Sequence, residues 1–283
     1  MYPVTYAERA AVEPRCFFLK DDFGHLAAMY FRPPSGVQHR ADLLYIHPFC
    51  HEIYNSRSVM AMCFRQLAEA GIGVLAVDLP GCGDSEGGLE DASWEIWKNS
   101  IINSLHWLQN NSGRPVSLCG LRLGGALALE VSLDCHSRPG RFILLEPTIS
   151  GEEMMTQYLR ARVAFSGIRG DSGQRETTAG LRERLGGGES LEVAGFILTQ
   201  RLVAAIDRVD LRSFQPDPAI PIDWVAIAPA GEVPVVEAWR GTGVPVRIHQ
   251  VAVRPYWPHT RGVVGEYDLL ARCLTDIFEG SAS

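Results

Sequence analysis

The sequence predicts an α/β fold with a mostly parallel central sheet, helices on both faces and a helical cap insertion. Three observations lead to this fold class. Strand-like apolar runs alternate with segments of helical periodicity, a pattern typical of parallel sheets with right-handed crossovers. Several of the runs are apolar throughout, as strands buried on both faces are. The alternation stops once, over residues 148–221, and then resumes.

The first half of the chain supplies a hairpin and most of the sheet. Its expected elements are, in order, a β-hairpin over 16–31, a strand over 42–48, a helix over 56–70, a strand from Ile72, a helix over 93–111, the strand VSLCGL, a helix over 125–133 and the strand RFILLEP. The helices carry apolar residues every three or four positions, and Gly71 favours the end of the first one.

The interruption over 148–221 contains no clear strand of the central sheet. Two helical segments surround a polar, Gly-rich stretch, so we expect two or three helices that cover the carboxyl ends of the strands, where ligands of open α/β sheets bind. The strand IDWVAIAP, a helix over 233–240, the strand VRIHQVAV and a helix over 263–278 then complete the sheet. The expected division is a core over 1–147 and 222–283 and a cap over 148–221.

Composition restricts the partners and the compartment. The 283 residues carry a net charge of -7, which disfavours nucleic acid and anionic membranes as partners. We expect no membrane insertion and a cytoplasmic protein, because no long apolar run and no apolar signal region occur. The seven cysteines lack CxxC spacing, which favours reduced, buried thiols, with Cys119 in the core. The sequence is compatible with a homodimer.

A strand-turn-helix motif lies at the centre of the chain, in VSLCGLRLGGALALEV. In a G-x-S-x-G nucleophile elbow, a serine occupies the sharp turn between strand and helix. Here the five residues are Gly120-Leu121-Arg122-Leu123-Gly124, so an arginine stands in the serine position. Arginine stays protonated and cannot attack a carbonyl group.

The order of motifs resembles that of the α/β-hydrolase superfamily: a His-Pro loop after the third strand, the turn DLPGCGDSEG, and then the elbow. The chain most resembles the exosortase A system-associated hydrolases of type 2. The matching stretches are HPFCHEIYNSRS, DLPGCGDSEG, GLRLGGALAL, EPTISGEEMMTQYLR, AGFILTQRLVAAIDRVDL and RPYWPH. The resemblance implies an α/β-hydrolase fold and includes the arginine of the elbow, but the fold alone does not define the chemistry.

The remaining triad positions can be assigned from chain order. The acid is expected after the strand ending at Ile227, at Glu232 or else at Glu237, and the histidine at His259. A surrogate nucleophile has to come from another loop. Cys50 is the best-placed thiol, with Cys82 and Ser85 as neighbours in the next turn.

Arg122 has two interpretations. It either closes a former site through local contacts, or it is a fixed cation at a helix N-terminus that holds an anionic group. A buried arginine needs a counter-charge, and Glu52 is the predicted partner, with Asp84 as the alternative. Glu52 is thus a candidate base or nucleophile whose pKa the cation should lower, and the adjacent His51 is a candidate proton carrier.

Five residues near these loops are expected to contact a substrate: His47, Phe49, Leu123, Ser85 and Trp257. We expect no metal site, because HPFCHE is not a recognised ligand spacing, and no cofactor, because no Walker loop and no GxGxxG follows a strand.

The favoured function is an enzyme that acts on an acyl ester or thioester, small or carrier-bound, without an elbow serine; acyl transfer or another non-hydrolytic reaction is included. The alternatives are a non-catalytic pocket for an anionic small molecule and a module that docks a partner protein.

Overall fold

A computed structural model describes residues 12–134, 138–169, 176–227, 231, 233–258 and 267–280. Its main sheet has eight strands in the order β1-β2-β4-β3-β5-β6-β9-β10. The strands are β1 (Arg15–Lys20), β2 (His25–Phe31), β3 (Ala41–Ile46), β4 (Ile72–Val77), β5 (Val116–Leu121), β6 (Phe142–Leu145), β9 (Ile222–Ile227) and β10 (Val246–Val251).

Only β2 runs against the other strands of this sheet. β1 pairs antiparallel with β2 and β2 with β4, whereas β3 to β6, β9 and β10 pair in parallel. The mostly parallel sheet expected from the apolar runs is therefore confirmed. Because β3, β5, β6 and β9 are parallel neighbours, the loops after their carboxyl ends meet at one edge of the sheet.

Helices cover both faces of the sheet. They are α1 (His51–Glu69), α2 (Trp94–Ser112), α3 (Leu123–Asp134), α4 (Gly151–Arg169), α5 (Thr178–Gly186), α6 (Gln200–Ile206), α7 (Pro234–Gly241) and α8 (Tyr267–Glu279). Helix α2 begins where the sequence predicted, since the Ser93 side chain accepts a hydrogen bond from the backbone N–H of Ile96 and caps the helix. Helix α1 begins at His51, five residues before the predicted start.

Alternate side chains of each strand enter two separate apolar clusters. On β3, Leu44 and Ile46 pack with α2 and α3, whereas Leu43 and Tyr45 pack with α1 and α8. Cys119 of β5 is fully buried, as its place in an apolar run indicated. This two-sided burial explains why the strands are apolar throughout rather than alternating.

Between β6 and β9 the chain forms α4, α5 and α6 and a small antiparallel pair, β7 (Leu191–Val193) and β8 (Phe196–Leu198). The three helices agree with the expected helical segment, but the strand pair was not expected. Apolar side chains of this segment, among them Met155 and Leu202, share the apolar cluster of α2 and α3. The division into core and cap stays a prediction.

Candidate active site

The turn between β5 and α3 has the backbone of a nucleophile elbow. Arg122 adopts a φ of 54°, in the left-handed region that non-glycine residues rarely occupy, and it is the single residue between Leu121 of β5 and Leu123 of α3. Its N–H donates to the carbonyl of Leu145, and its own carbonyl accepts from the N–H of Thr148 at 3.1 Å. These bonds join the ends of β5 and β6 and hold the strained residue in place.

Two glycines let the elbow approach its neighbours closely. A Cβ atom at Gly124 would overlap the carbonyl oxygen of Ile46 and lie 2.6 Å from that of His47. A Cβ atom at Gly120 would overlap the backbone of Gly124 itself. The glycines of the motif thus fix where Arg122 stands, independently of which residue occupies the turn.

The Arg122 side chain contacts Glu52, Glu146 and Trp257 among the described residues. Its Nε lies 3.6 Å from Glu52 Oε1, its Nη1 donates to the backbone carbonyl of Glu146 at 3.4 Å, and its guanidinium carbon lies 5.3 Å from the centre of the Trp257 ring. The predicted pairing with Glu52 is confirmed. Asp84, the alternative, is 83% exposed and lies 4.0 Å from Arg57 instead.

Glu52 and Arg122 form a buried but incompletely bonded pair. Their side chains are only 12% and 20% exposed, and the 3.6 Å separation is too long for a hydrogen bond. Within the described part of the chain, neither Glu52 Oε2 nor Arg122 Nε has a hydrogen-bond partner. One buried acceptor and one buried donor therefore remain unsatisfied side by side, a costly arrangement that a hydroxyl group can relieve because it both donates and accepts.

The pKa of Glu52 is raised above its ordinary value of 4.5. Burial is the main cause, and the attraction of Arg122 opposes it without cancelling it. Arg122 lowers this pKa as expected, but the expectation of a lowered pKa overall was wrong, because the loss of solvent around the carboxylate outweighs the ion pair. The shift brings the basicity of Glu52 closer to neutral pH, which suits a group that exchanges protons.

His51 opens helix α1 and contacts a residue of α4. Its ring nitrogen Nδ1 lies 2.6 Å from the hydroxyl oxygen of Tyr158, and its backbone N–H donates to the same oxygen at 3.2 Å. The Tyr158 ring also packs against Phe49, with centroids 5.4 Å apart. Helix α4 thereby covers the loop that precedes α1.

Cys50 is poorly suited to act as a nucleophile. It is 1% exposed, and burial raises the pKa of its thiol well above 9.0. Cys82 is also buried, and its pKa is raised to about 12. Because the thiolate is the reactive form of cysteine, burial keeps both groups inert in the folded protein.

The side chains of His47 and Ser85 are already engaged in the protein. His47 is buried; its Nδ1 donates to the carbonyl of Pro48, its Nε2 accepts from the N–H of Leu79, and burial lowers its pKa, which favours the neutral ring. The Ser85 hydroxyl donates to the carbonyl of Asp78 and accepts from the N–H of Ala27. The expected substrate contacts of these two side chains are therefore not supported; both side chains hold loops.

The other predicted residues divide into two groups. Glu232 and His259 lie outside the described residues, so their roles stay predictions. Glu237, the alternative acid, pairs with Arg240 at 2.8 Å, and its side chain is 62% exposed, so it does not face Arg122. Phe49, Leu123 and Trp257 are all buried around the elbow.

Glu146 and Tyr158 were missed by the sequence analysis. Glu146 follows β6 directly with a φ of 41°, and its Oε2 accepts a hydrogen bond of 2.7 Å from the N–H of Ile227. Its position at the end of a strand beside the elbow strand was a usable signal. Tyr158 had no such signal, because only the packing of α4 brings it to His51.

Within the described ranges, no three His, Cys, Asp or Glu side chains are grouped so as to hold a metal ion. Nor does any helix there have the length and apolar character needed to cross a membrane.

A parallel sheet with a strand-turn-helix elbow at its centre is the architecture of hydrolases of the α/β class. Residues 43–277 match the family described as "Alpha/beta hydrolase family", and the chain belongs to that family. No curated protein matched the sequence.

Solved structures with the same fold include two esterases and a lipase. Est1E from Butyrivibrio proteoclasticus, solved with ferulic acid, is 16% identical, with a TM-score of 0.66, over 94% of this chain and 100% of its own. A soluble variant of monoglyceride lipase from Saccharomyces cerevisiae, solved with a substrate analog, is 12% identical, with a TM-score of 0.64, over 97% of both chains. A carboxyl esterase from Bacillus coagulans, solved with glycerol, is 14% identical, with a TM-score of 0.61, over 95% and 98%. At these identities the likeness concerns the fold.

Proposed function

We propose that this member of the alpha/beta hydrolase family acts on an acyl ester or thioester through a site that uses no elbow serine. The observation that carries the proposal is the buried pair of Glu52 and Arg122, with Arg122 in the serine position and one polar atom on each side chain that no described residue satisfies. The esterases and the lipase of the same fold support an acyl substrate.

In this reaction Glu52 is the general base. A hydroxyl oxygen between the two side chains accepts a hydrogen bond from Arg122 Nε and donates its hydrogen to Glu52 Oε2. As Glu52 takes the proton, the oxygen attacks the carbonyl carbon and a new C–O bond forms. The old C–O or C–S bond then breaks, and the leaving group receives the proton. Water as the attacking group gives hydrolysis, and an alcohol gives acyl transfer.

The positive charge at the elbow stabilises the oxyanion that develops on the acyl group. Leu123 begins α3, and the first N–H groups of a helix have no intrahelical acceptor. Together with the guanidinium of Arg122, they form a donor set suited to an oxyanion. Phe49 and Trp257 supply apolar walls beside it. From their positions in the sequence, we assign His259 as a further proton carrier and Glu232 as the carboxylate that orients it.

The second candidate function is a pocket that binds an anionic small molecule without turnover. The same cation favours it, since Arg122 replaces the group that attacks in serine hydrolases. The motif resemblance to the exosortase A system-associated hydrolases of type 2 supports a role shared with that family, whether catalytic or binding.

A substrate panel separates the two functions. p-Nitrophenyl esters and acyl-CoA thioesters of increasing chain length are offered to the wild type, to Glu52→Gln, to Arg122→Met and to His259→Ala. Asp84→Asn is the matched control, because it neutralises an exposed acid outside the pair. We expect turnover that falls at least about 100-fold in Glu52→Gln, within the range of general-base effects, and is unchanged in Asp84→Asn.

Equal turnover in the wild type, Glu52→Gln and Arg122→Met contradicts catalysis at this pair. If no substrate of the panel is turned over, but short carboxylates raise the melting temperature of the wild type and not of Arg122→Met, the binding function replaces the catalytic one.

A further inference from the structure

The hydroxyl of Tyr158 makes two contacts with one residue. Its oxygen lies 3.2 Å from the backbone nitrogen of His51 and 2.6 Å from Nδ1 of the same ring. The two rings pack with centroids 5.0 Å apart at an angle of 30°. Tyr158 is 8% exposed, so this geometry is enclosed by protein.

The hydrogens of these groups can be counted. The backbone N–H of His51 can only donate a hydrogen bond, so the tyrosine oxygen accepts this bond. Burial raises the pKa of Tyr158, and the phenol keeps its own hydrogen. Nδ1 of a neutral histidine is a good acceptor for that hydrogen when the ring carries its proton on Nε2.

The opposite assignment leaves one hydrogen poorly placed. If Nδ1 donated to Tyr158, the oxygen would accept two bonds, and the hydroxyl hydrogen would turn to the sulfur of Cys50, its other side-chain partner among the described residues. Sulfur is a weak acceptor compared with an imidazole nitrogen at 2.6 Å. Hydrogen-bond energy therefore favours donation from Tyr158 to Nδ1.

We propose that Tyr158 is a positioning residue that fixes neutral His51 as the tautomer with its ring hydrogen on Nε2. Under the proposed function, on which this consequence rests, the ring of His51 then serves as a hydrogen-bond donor through Nε2 and not as a base through Nδ1. A neutral histidine used as a donor in this way polarises a carbonyl without carrying charge.

The same contact joins two parts of the chain. His51 lies in the first turn of α1, next to Glu52, and Tyr158 lies in α4, within the segment expected to form the cap. A displacement of α4 moves the Tyr158 hydroxyl away from Nδ1, and the hydrogen bond that favours one tautomer of His51 is then lost. The position of α4 thus determines which ring nitrogen of His51 can donate.

Nitrogen NMR tests the proposal without any substrate. Protein labelled with ¹⁵N in histidine is measured at about pH 8.5, where an unperturbed imidazole is neutral. Eight histidines contribute, and the His51 signals are assigned as those missing in His51→Gln. The unprotonated ring nitrogen of a neutral histidine resonates far downfield of the protonated one, so each tautomer has its own pattern.

We expect the wild-type protein to show His51 Nδ1 unprotonated and Nε2 protonated, as a single tautomer. In Tyr158→Phe the two shifts should move toward the average of both tautomers, while Tyr54→Phe, which removes a hydroxyl from an exposed tyrosine of α1, should leave them unchanged. A protonated Nδ1 in the wild type overturns the proposal, whether or not Tyr158→Phe folds. A His51 pattern identical in the wild type and folded Tyr158→Phe overturns it as well. Neither result depends on turnover.

Discussion

Replacing Arg122 with methionine should make the free energy of unfolding fall more steeply as the pH rises. The variant removes the charge that faces Glu52 and keeps an unbranched side chain at the elbow. In the wild type, burial raises the pKa of Glu52 above 4.5 and Arg122 opposes that rise; without Arg122, the pKa rises further. A carboxyl whose pKa is raised on folding stabilises the protein below its unfolded pKa, and this contribution is lost as the pH rises through the folded value.

The magnitude follows from the geometry. Unit charges 3.6 Å apart interact by about 4–5 kcal/mol at an effective dielectric constant of about 20. Arg122→Met does not lose this whole interaction energy, because Glu52 can become protonated and avoid being a buried, unpaired charge. Keeping a carboxyl with an unfolded pKa of 4.5 neutral costs about 3.4 kcal/mol at pH 7 and about 0.7 kcal/mol at pH 5. The two costs differ by about 2.7 kcal/mol, and the wild type already bears part of this difference. The variant should therefore lose about 1–2 kcal/mol more than the wild type between these pH values.

Urea denaturation at pH 5, 6 and 7 measures this loss in the wild type, Arg122→Met, Glu52→Gln and the double variant. Adding Glu52→Gln to Arg122→Met should restore stability at pH 7, because no carboxyl is left to ionise. Glu237→Gln is the control: its pair with Arg240 is shorter, at 2.8 Å, but exposed, and should contribute less than about 1 kcal/mol. Two results would contradict this expectation: Arg122→Met loses no more stability than the wild type between pH 5 and pH 7, or the double variant is less stable than Arg122→Met at pH 7.

Three further outcomes are expected. Gly124→Ala should lower the free energy of unfolding by more than about 3 kcal/mol, because its Cβ would meet the backbone of Ile46 and His47, whereas Gly186→Ala, with open space around it, should not lower the melting temperature. Ser85→Ala should cost about 1–3 kcal/mol and leave KM unchanged; a raised KM would assign the hydroxyl to the substrate. Iodoacetamide should label Cys16, which is exposed, and not Cys50 in the folded protein, as judged by peptide mass spectrometry; equal labelling would contradict the burial argument.

The sequence was sufficient for the central sheet and the elbow because each of their features is local. Runs such as VSLCGL are apolar throughout, and the structure gives β5 these six residues. The glycines around Arg122 mark a close approach of strand and helix that only they allow. The pairing of Glu52 with Arg122 also followed, since a buried cation and the loop order leave few acids within reach.

Features without a local signal were missed. Helix α1 starts at His51 because Cys50 adopts a φ of 48°, and no side chain caps this end, so the sequence has no start signal there. The β7–β8 pair turns through Ala194 and Gly195, both with positive φ, and its strands of three residues are too short for a periodic pattern. Tyr158 reaches the site only through packing over a long sequence separation.

The sign of the Glu52 pKa shift shows a different limit. From the sequence, the ion pair alone predicted a lowered pKa. The sign depends on how much solvent the carboxylate loses when it is buried. Charges can be paired from sequence order, whereas their desolvation requires the packed structure.

A fluorophosphonate probe, which labels reactive serines, tests whether the acyl chemistry proceeds without a serine nucleophile. The protein is incubated with excess probe, its intact mass is measured, and its turnover of the best substrate of the panel is compared before and after. We expect an unchanged mass and unchanged turnover, because Arg122 occupies the position of the attacking serine. One adduct on a serine, with turnover lost in proportion to labelling, would contradict it.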